Sequence, residues 1–477
     1  MTNVAVIGGG PGGLMTAYLL NRKYKGSCQT TIFEATDRVG GKIQTRRFDS
    51  VPAPYESGVA EVYDYGLLGR DPLQQLIAEL GLKTTPVEGQ TVVLNGEVLS
   101  NDHEIREHCG ESTLKAILDF RHRAASMMPI EAWYEGLWQA DNKHPWAQLT
   151  CEEVLDEVAD PTARKYLKVA VHSDLATELH LTNGLNGLKN FVMDVPGYVR
   201  QFSIVGGMEM LPKALREKLA GTRVELNAPV VSVSRRNESY RVCFRRGREV
   251  FEQEFDAVFV ALPHNWLNSV EWGGERLRRA MTRHIAYYDR PAHYLRVSIL
   301  FKKPFWRERV AGSWFMLDAF GGCCVYDESA RHDAGGYGVL GWLLAGSDAL
   351  ARANLNDHVL VDGALDSLPD DLTRTAREQF IEGKVHRWVA AVNGQPGGLP
   401  LRDARSAHLP EPSEHPNLFI VGDYLFDSTL NGVFDSANFA TDLPHSLIET
   451  RQSINPMKVS NLPVICLPAT QSLPLHT

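Results

Sequence analysis

Apolar and polar positions change their period several times along the chain. The run VAVIGGG (4–10) is apolar without a break and ends in glycines. GLMTAYLLNRKY then carries apolar residues at helical spacing, and QTTIFEA (29–35) reads as a second strand. Together they predict a β-α-β start. From 72 to 200 the pattern turns mostly helical, as in STLKAILDFRHRAASMM and CEEVLDEVADPTARKYLKVAV. From 223 to 262 it turns to strands. RVELNAP, VVSVSRR, SYRVCFRR and VFEQEF alternate, as half-exposed antiparallel strands do, whereas AVFVALP is apolar throughout, as a buried parallel strand is. YLRVSILF and SWFMLDAF add strands, and DHVLVDGALDSL adds a helix. LFIVGDY (418–424) predicts a last buried strand, with a helix over GVFDSANFATDL. Beyond about residue 452 the chain is dotted with proline and has no period, which predicts a loose tail.

The parallel strands come from stretches far apart in sequence. The expected class is therefore α/β, with a discontinuous Rossmann-like nucleotide domain and a mixed α+β domain built from the insertions. The expected boundaries are 1–70, 200–285 and 395–450 for the first, 71–199 and 286–394 for the second, and 451–477 for the tail. A chain of 477 residues exceeds one compact core, which fits two domains.

Composition narrows the function. A net charge of −9 argues against nucleic-acid or anionic-membrane partners. Seven cysteines without CxxC spacing predict no zinc or other metal site and fit a reducing compartment. No run of 18 apolar residues predicts a membrane span, and the first strand leaves no room for a signal peptide. The expectation is a cytoplasmic protein acting on a small molecule, with homo-oligomers left open.

Gly8, Gly10 and Gly13 form G-x-G-x-x-G directly after a strand, with Pro11 and Gly12 inside it. Such glycines let backbone N–H groups approach a pyrophosphate at a helix N-terminus. Glu34 closes the second strand, where an acid accepts from ribose hydroxyls.

ATDRVGGKIQT (35–45), VGGMEMLPKALREKL (205–219), VELNAPVVSV (224–233), DAVFVALP (256–263), LFIVGDY and LNGVFDSA occur in the order found in the flavin-containing amine oxidase superfamily, which the chain resembles up to about residue 450. That resemblance implies FAD on a glutathione-reductase-like fold. It implies that Arg38, Gly41 and Lys42 lie along the cofactor, with Lys42 where the family usually has arginine. It places Val230 near the adenine, Gly422 and Asp423 on the ribityl or phosphate side, and Val433, through its backbone, at the pyrimidine edge. No cysteine stands near 397, where some members bind flavin covalently, so non-covalent FAD is expected.

The chain also departs from the family. Phe305-Trp306 fixes a count of nine back to Arg296, where amine oxidases carry a lysine that holds a water against flavin N5. Arginine does not titrate near neutrality, but it binds carboxylates bidentately. Arg296 is either a flavin-facing electrostatic residue, a clamp for an anionic substrate, or a buried partner of a carboxylate. Tyr294 shares its strand face by period two. Glu61 stands where related amino-acid oxidases carry a carboxylate-binding arginine; it would hold a cation, pair with Arg296 or serve structure. The cage positions near Gly397, Gly398 and Leu399 and near Thr429 are not aromatic, leaving Tyr424, Phe426 or Tyr294 as substitutes. His172, Asp174 and Glu178 form a polar cluster with the last two at helical i,i+4, and Asp318, Tyr326 and Asp327 are further pocket candidates.

Arg296, Glu61 and Tyr294 are the catalytic candidates. The expected activity is FAD-dependent hydride transfer from an amine or amino-acid-derived metabolite to flavin N5, with oxygen or another acceptor reoxidising the flavin. The alternatives are a flavin-dependent desaturase or isomerase on a non-amine substrate and a non-catalytic flavin-bound scaffold.

Overall fold

The structure is a computed structural model that describes residues 1–66, 69, 71–129, 144–193, 199–394, 403–426 and 428–444. A five-stranded parallel sheet runs in the order Arg223–Glu225, Cys28–Phe33, Thr2–Ile7, Ala257–Val260 and Leu418–Ile420. Its central strands are covered on both faces. Val4, Val6, Phe259 and Phe419 pack with Leu14 and Ala17 of the helix Pro11–Tyr24. Ala5, Ile7, Phe33 and Val258 pack with Tyr240, Val242 and Phe244 of a four-stranded sheet. Burial on both faces is why these strands lack alternation.

Two sequence expectations need correction. RVELNAP is not antiparallel: Arg223–Glu225 pairs in parallel with Cys28–Phe33 at the sheet edge. Three residues are too few for alternation to separate the two cases. The stretch 72–200 also holds the strands Thr84–Val87, Thr91–Leu94 and Glu97–Leu99 besides its helices. Asn95 (φ 54°) and Gly96 (φ 85°) make the hairpin between the last two, the Asn-Gly pair that such a turn favours. The tail and Gly397, Gly398 and Leu399 lie outside the described residues.

A seven-stranded sheet runs Phe380–Asn393, Pro291–Phe301, Gly338–Ala345, Cys323–Asp327, Trp314–Leu317, Thr91–Leu94 and Glu97–Leu99. Alternation sorts its faces. Leu295, Val297, Ile299 and Phe301 pack with Leu360, Ala364 and Leu372 from two covering helices, Asp357–Asp366 and the helix Asp370–Gln379. On the other face a row crosses the strands through His386, Arg296, Leu343, Cys324 and Met316. There Met316, Cys324 and Tyr326 join the core of the helices Glu111–Met127 and Pro161–Leu175. The sheet therefore turns Arg296 toward its helical cover.

One lock ties that cover to the sheet. His172 is buried, with Nδ1 2.9 Å from Gly322 O and Nε2 3.5 Å from Glu178 Oε2. The helix stops at Leu175 because Ala176 turns left-handed (φ 55°), so Asp174 and Glu178 do not share the helical face expected of them. Glu178 instead folds back to His172 and accepts from Ser347 N–H at 2.7 Å. A neutral imidazole has one N–H, yet both ring nitrogens face acceptors. Burial lowers the His172 pKa, but Glu178 and the Gly322 carbonyl outweigh it and raise the group above 6.5. The bond from His172 holds Glu178 down at about 2.

A raised histidine stabilises fully below its unfolded value and loses that contribution as pH climbs through the folded one. His172→Gln is expected to remove about 1.5–3 kcal/mol near pH 6 and clearly less near pH 9. Urea midpoints at both pH values check this, and equal losses would exclude the charged pair.

Candidate active site

The residues of the glycine turn fit a dinucleotide. Gly10 caps the helix Pro11–Tyr24 without a side-chain bond, and no acid stands in its first turn. The first N–H groups are thus open to an anion. A Cβ on Gly13 would lie 1.9 Å from Gly8 O, so only glycine lets the helix start this close to the strand. The 38–42 loop closes over the turn, with a Cβ on Gly41 reaching within 3.1 Å of Gly10 Cα. Glu34 accepts from Gly9 N–H (2.8 Å) and from Thr36 N–H (2.9 Å). Ala228 N–H donates to Glu34 O at 2.8 Å, which brings the chain leading into Val230 beside that acid.

The basic candidates hold backbone. Arg38 forks onto Val39 O and Gly41 O at 3.1 and 2.5 Å, and the Lys42 ammonium donates to Ala391 O. Lys42, Asp423, Tyr424, His264 and Asn393 line one cavity of about 240 Å³. Gly422 donates its N–H to Ser436 Oγ at 3.0 Å, which fixes the turn into Asp423. Thr429 is the N-cap of the helix Leu430–Asp442 and accepts from Gly432 N–H. The Val433 N–H is spent on Thr429 O, so its backbone donor is not free for a ligand; its side chain lies over Gly12.

Arg296 is 1% exposed. It donates to Glu56 O at 2.7 Å and to Gly58 O at 3.1 Å, and stands 3.7 Å from Glu328 Oε1. Gly341 makes room for that acid, since a Cβ there would come within 3.0 Å of Glu328 Oε1. Arg331 Nη2 lies 2.9 Å from Glu328 Oε2, and Arg331 Nη1 donates to Ala60 O at 2.8 Å. Both guanidiniums stack on the Tyr326 ring, at 4.9 and 4.8 Å. Tyr326 donates to Glu61 Oε1 at 3.0 Å, and Glu61 Oε2 lies 3.8 Å from Arg331. The partner of Glu61 is thus Arg331 with Tyr326, not Arg296. His332 Nε2 completes the group 3.3 Å from Glu56 Oε1. Removing one member of such a buried pair typically costs about 3–5 kcal/mol, because the other charge is stranded.

Tyr294 shares the face of Arg296, but its hydroxyl donates to Ser173 O at 2.8 Å. Burial, then Asp174 and Glu61, pushes its pKa far up, which keeps the phenol protonated. Asp318 pairs with Lys165 at 2.7 Å, and Asp327 with Arg307 at 2.7 Å and Trp306 at 3.0 Å. Neither joins the Arg296 group; of those candidates only Tyr326 does. Arg331, Glu328, Glu56 and His332 escaped the sequence reading. Their one local signal was Glu328 and Arg331, three apart directly behind the apolar strand Cys323–Asp327.

The flavin-containing amine oxidoreductase family model matches residues 11–442. The flavin-containing amine oxidase A of Sus scrofa is 24% identical over 373 residues, covering 74% of this chain and 67% of that protein. The L-amino-acid oxidase of Mus musculus is 25% identical over 334 residues, covering 64% of this chain and 48% of that protein. Among solved structures, putrescine oxidase bound to putrescine superposes with a TM-score of 0.73 at 20% identity, over 93% of this chain and 99% of that one. That likeness is one of fold. The family match runs from the first residue of the glycine-turn helix to the end of the last described helix, and the chain belongs to the flavin-containing amine oxidoreductase family.

Proposed function

We propose that the chain is an oxidoreductase that holds FAD non-covalently and oxidises a small amine or amino-acid-derived substrate. Bound flavin would supply a hydride acceptor at N5. One observation carries the reading: the segment 56–61 is held between the glycine-turn loops and the face of Arg296. Val59 N–H donates to Lys42 O at 3.1 Å, Trp388 Nε1 donates to Ser57 O at 2.6 Å, and Arg296 donates to Gly58 O. A glycine-turn loop and a polar sheet face thus meet across three residues, 57–59.

In this reading 1–70, 200–285 and 395–450 hold the cofactor, and 71–199 with 286–394 hold the substrate. Gly8 to Gly13 and Glu34 take the ADP half, Val230 lies by the adenine, and Arg38, Gly41, Lys42, Gly422, Asp423 and Val433 line the remainder. Arg296 supplies fixed positive charge, while Glu61 and Tyr294 wall the substrate. None of the six cysteines among the described residues lines the cavity with Lys42 and Asp423, which supports non-covalent binding. Their free thiols fit a cytoplasmic setting. No helix among the described residues is long and apolar enough to cross a membrane.

A second reading, a flavin enzyme whose acceptor is not oxygen or whose chemistry is net redox-neutral, is favoured by the commitment of Arg296. Its Nη1 is already bound to two carbonyls, and no titratable ammonium stands in its place.

The first test is the anaerobic absorbance of the purified protein with pools of amines, amino acids and unsaturated acids. Bleaching by an amine or amino acid is expected; bleaching only by another pool moves the substrate class. Peroxide on admitting air then separates an oxidase from the second reading. Glu34→Ala is expected to weaken FAD binding about tenfold, or about 1.4 kcal/mol, in fluorescence titrations. Arg296→Ala is expected to lose about 3–5 kcal/mol of stability in urea melts, because Glu328 loses a counter-charge and two carbonyls lose their donor. A loss under about 1 kcal/mol would remove the buried-anchor role from Arg296.

A further inference from the structure

The group around Arg296 does not balance its own charge. Arg296 and Arg331 face the carboxyls of Glu56, Glu61 and Glu328, one more than the guanidiniums neutralise. The three acids are not equally served. Glu56 accepts from Met208 N–H at 2.8 Å and from Thr45 Oγ1 at 3.0 Å. Glu328 Oε1 also lacks a hydrogen bond, but Glu328 lies 2.9 Å from Arg331 and 3.7 Å from Arg296, and it accepts from Glu56 N–H at 3.4 Å. Glu61 has one neutral donor, Tyr326 Oη–H, while its Oε2 is shut off from solvent with no hydrogen bond. Its nearest cation, Arg331, stands at 3.8 Å. An ionised carboxylate buried without a close cation costs far more than the neutral acid, even though the acid's O–H is then a donor in its turn.

We propose that Glu61 rests as a neutral carboxylic acid and serves as the proton-holding group of the site, keeping the Arg296–Glu328–Arg331–Glu56 group at zero net charge. Burial pushes the Glu61 pKa up from 4.5 despite Arg331 and Arg296, in the same direction. Tyr326 and Glu328 also face it, and Tyr294 and Cys324 stand within its field. His332, between Glu56 and Glu328, is the rival place for the same proton. The reaction is proton binding alone: the carboxylate takes H⁺ from solvent and returns it to solvent when positive charge enters. An arriving ammonium would meet a neutral wall and gain a counter-charge only as Glu61 releases its proton. The inference deepens the reading above for the same site, yet its test needs no turnover.

Infrared spectra of the flavin-loaded protein near pH 7 should show a carboxylic-acid carbonyl band that Glu61→Gln removes. Glutamine mimics the neutral acid, so that variant should fold and melt close to wild type near pH 5. A carboxyl raised in the fold stabilises below its unfolded value and loses that contribution as pH rises through the folded one. Between about pH 5 and pH 8.5 the wild type should therefore lose about 2–4 °C more melting temperature than Glu61→Gln. No such band, with Glu61→Gln melting lower by the same amount at every pH, would make Glu61 an ionised partner of Arg331 and overturn the proposal. No such band, with the pH-dependent loss abolished in His332→Gln, would place the proton on His332 and overturn it equally. If Glu61→Gln does not fold, isotope-labelled glutamate in the wild type still decides whether a buried acid band exists. A protein that no amine reduces but that keeps the band would fail the functional reading and not this one.

Discussion

The site depends on one buried guanidinium that bridges two parts of the chain. Arg296 leaves a strand whose opposite face is apolar core, and reaches the carbonyls of Glu56 and Gly58. Both acceptors sit on the segment whose other side carries the loop around Lys42. An ammonium is a point charge with mobile donors, whereas a guanidinium is a rigid fork. Here one nitrogen, Nη1, makes both bonds, which fixes the spacing between sheet and loop as well as the charge. The conformational cost of ordering that segment is thus met by bonds that also set the electrostatics of the site.

A buried cation needs its environment built around it. Glu328 supplies the counter-charge from the turn after Cys323–Asp327, and Gly341 is small so that it fits. Arg331 then enters as a second cation on the far side of Tyr326, and it brings Glu61 and Ala60 into the same group. Each residue answers a need created by the one before. This is why the cluster gathers Arg296, Arg331, Glu56, Glu61, Glu328 and His332, and why so many of its polar atoms remain unpaired, among them Arg296 Nε, Arg331 Nε and Glu328 Oε1. Low dielectric makes such a network strong where it is satisfied and responsive where it is not.

The fold was legible wherever one physical cause acted alone. Burial on both faces made VAVI, AVFV and LFIV readable as parallel strands, and the glycine turn followed from the approach of Gly13 to Gly8 O. Reading failed where causes competed. Arg223–Glu225 was too short to show its pairing, and Ala176 broke a helical register that spacing alone extended through Glu178. The position of Arg296 was visible by counting from Phe305-Trp306, and so was the idea that a carboxylate pairs with it. Which carboxylate was not: Arg331 binds Ala60 from 271 positions away, and sequence without a fold carries no information on such a meeting.

The same contrast separates the two halves of the site. The half proposed to hold the cofactor is made of backbone: N–H groups, glycine clearances and a helix end, whose geometry local sequence dictates. The half proposed to hold the substrate is made of side chains from the segments 56–61, 294–296 and 324–332, joined only when the seven-stranded sheet closes over its helices. Substitutions in the first half are confined by sterics, as a Cβ on Gly13 would overlap Gly8 O outright. In the second half charge balance is the constraint, and it can be met by several residue sets of equal sum. Arg296 carries a fixed positive charge, and Glu328, 3.7 Å away and fully buried, is the acid beside it. Arg331 beyond Glu328 extends the compensation until Glu61, at the end of the chain of charges, is left with no full partner.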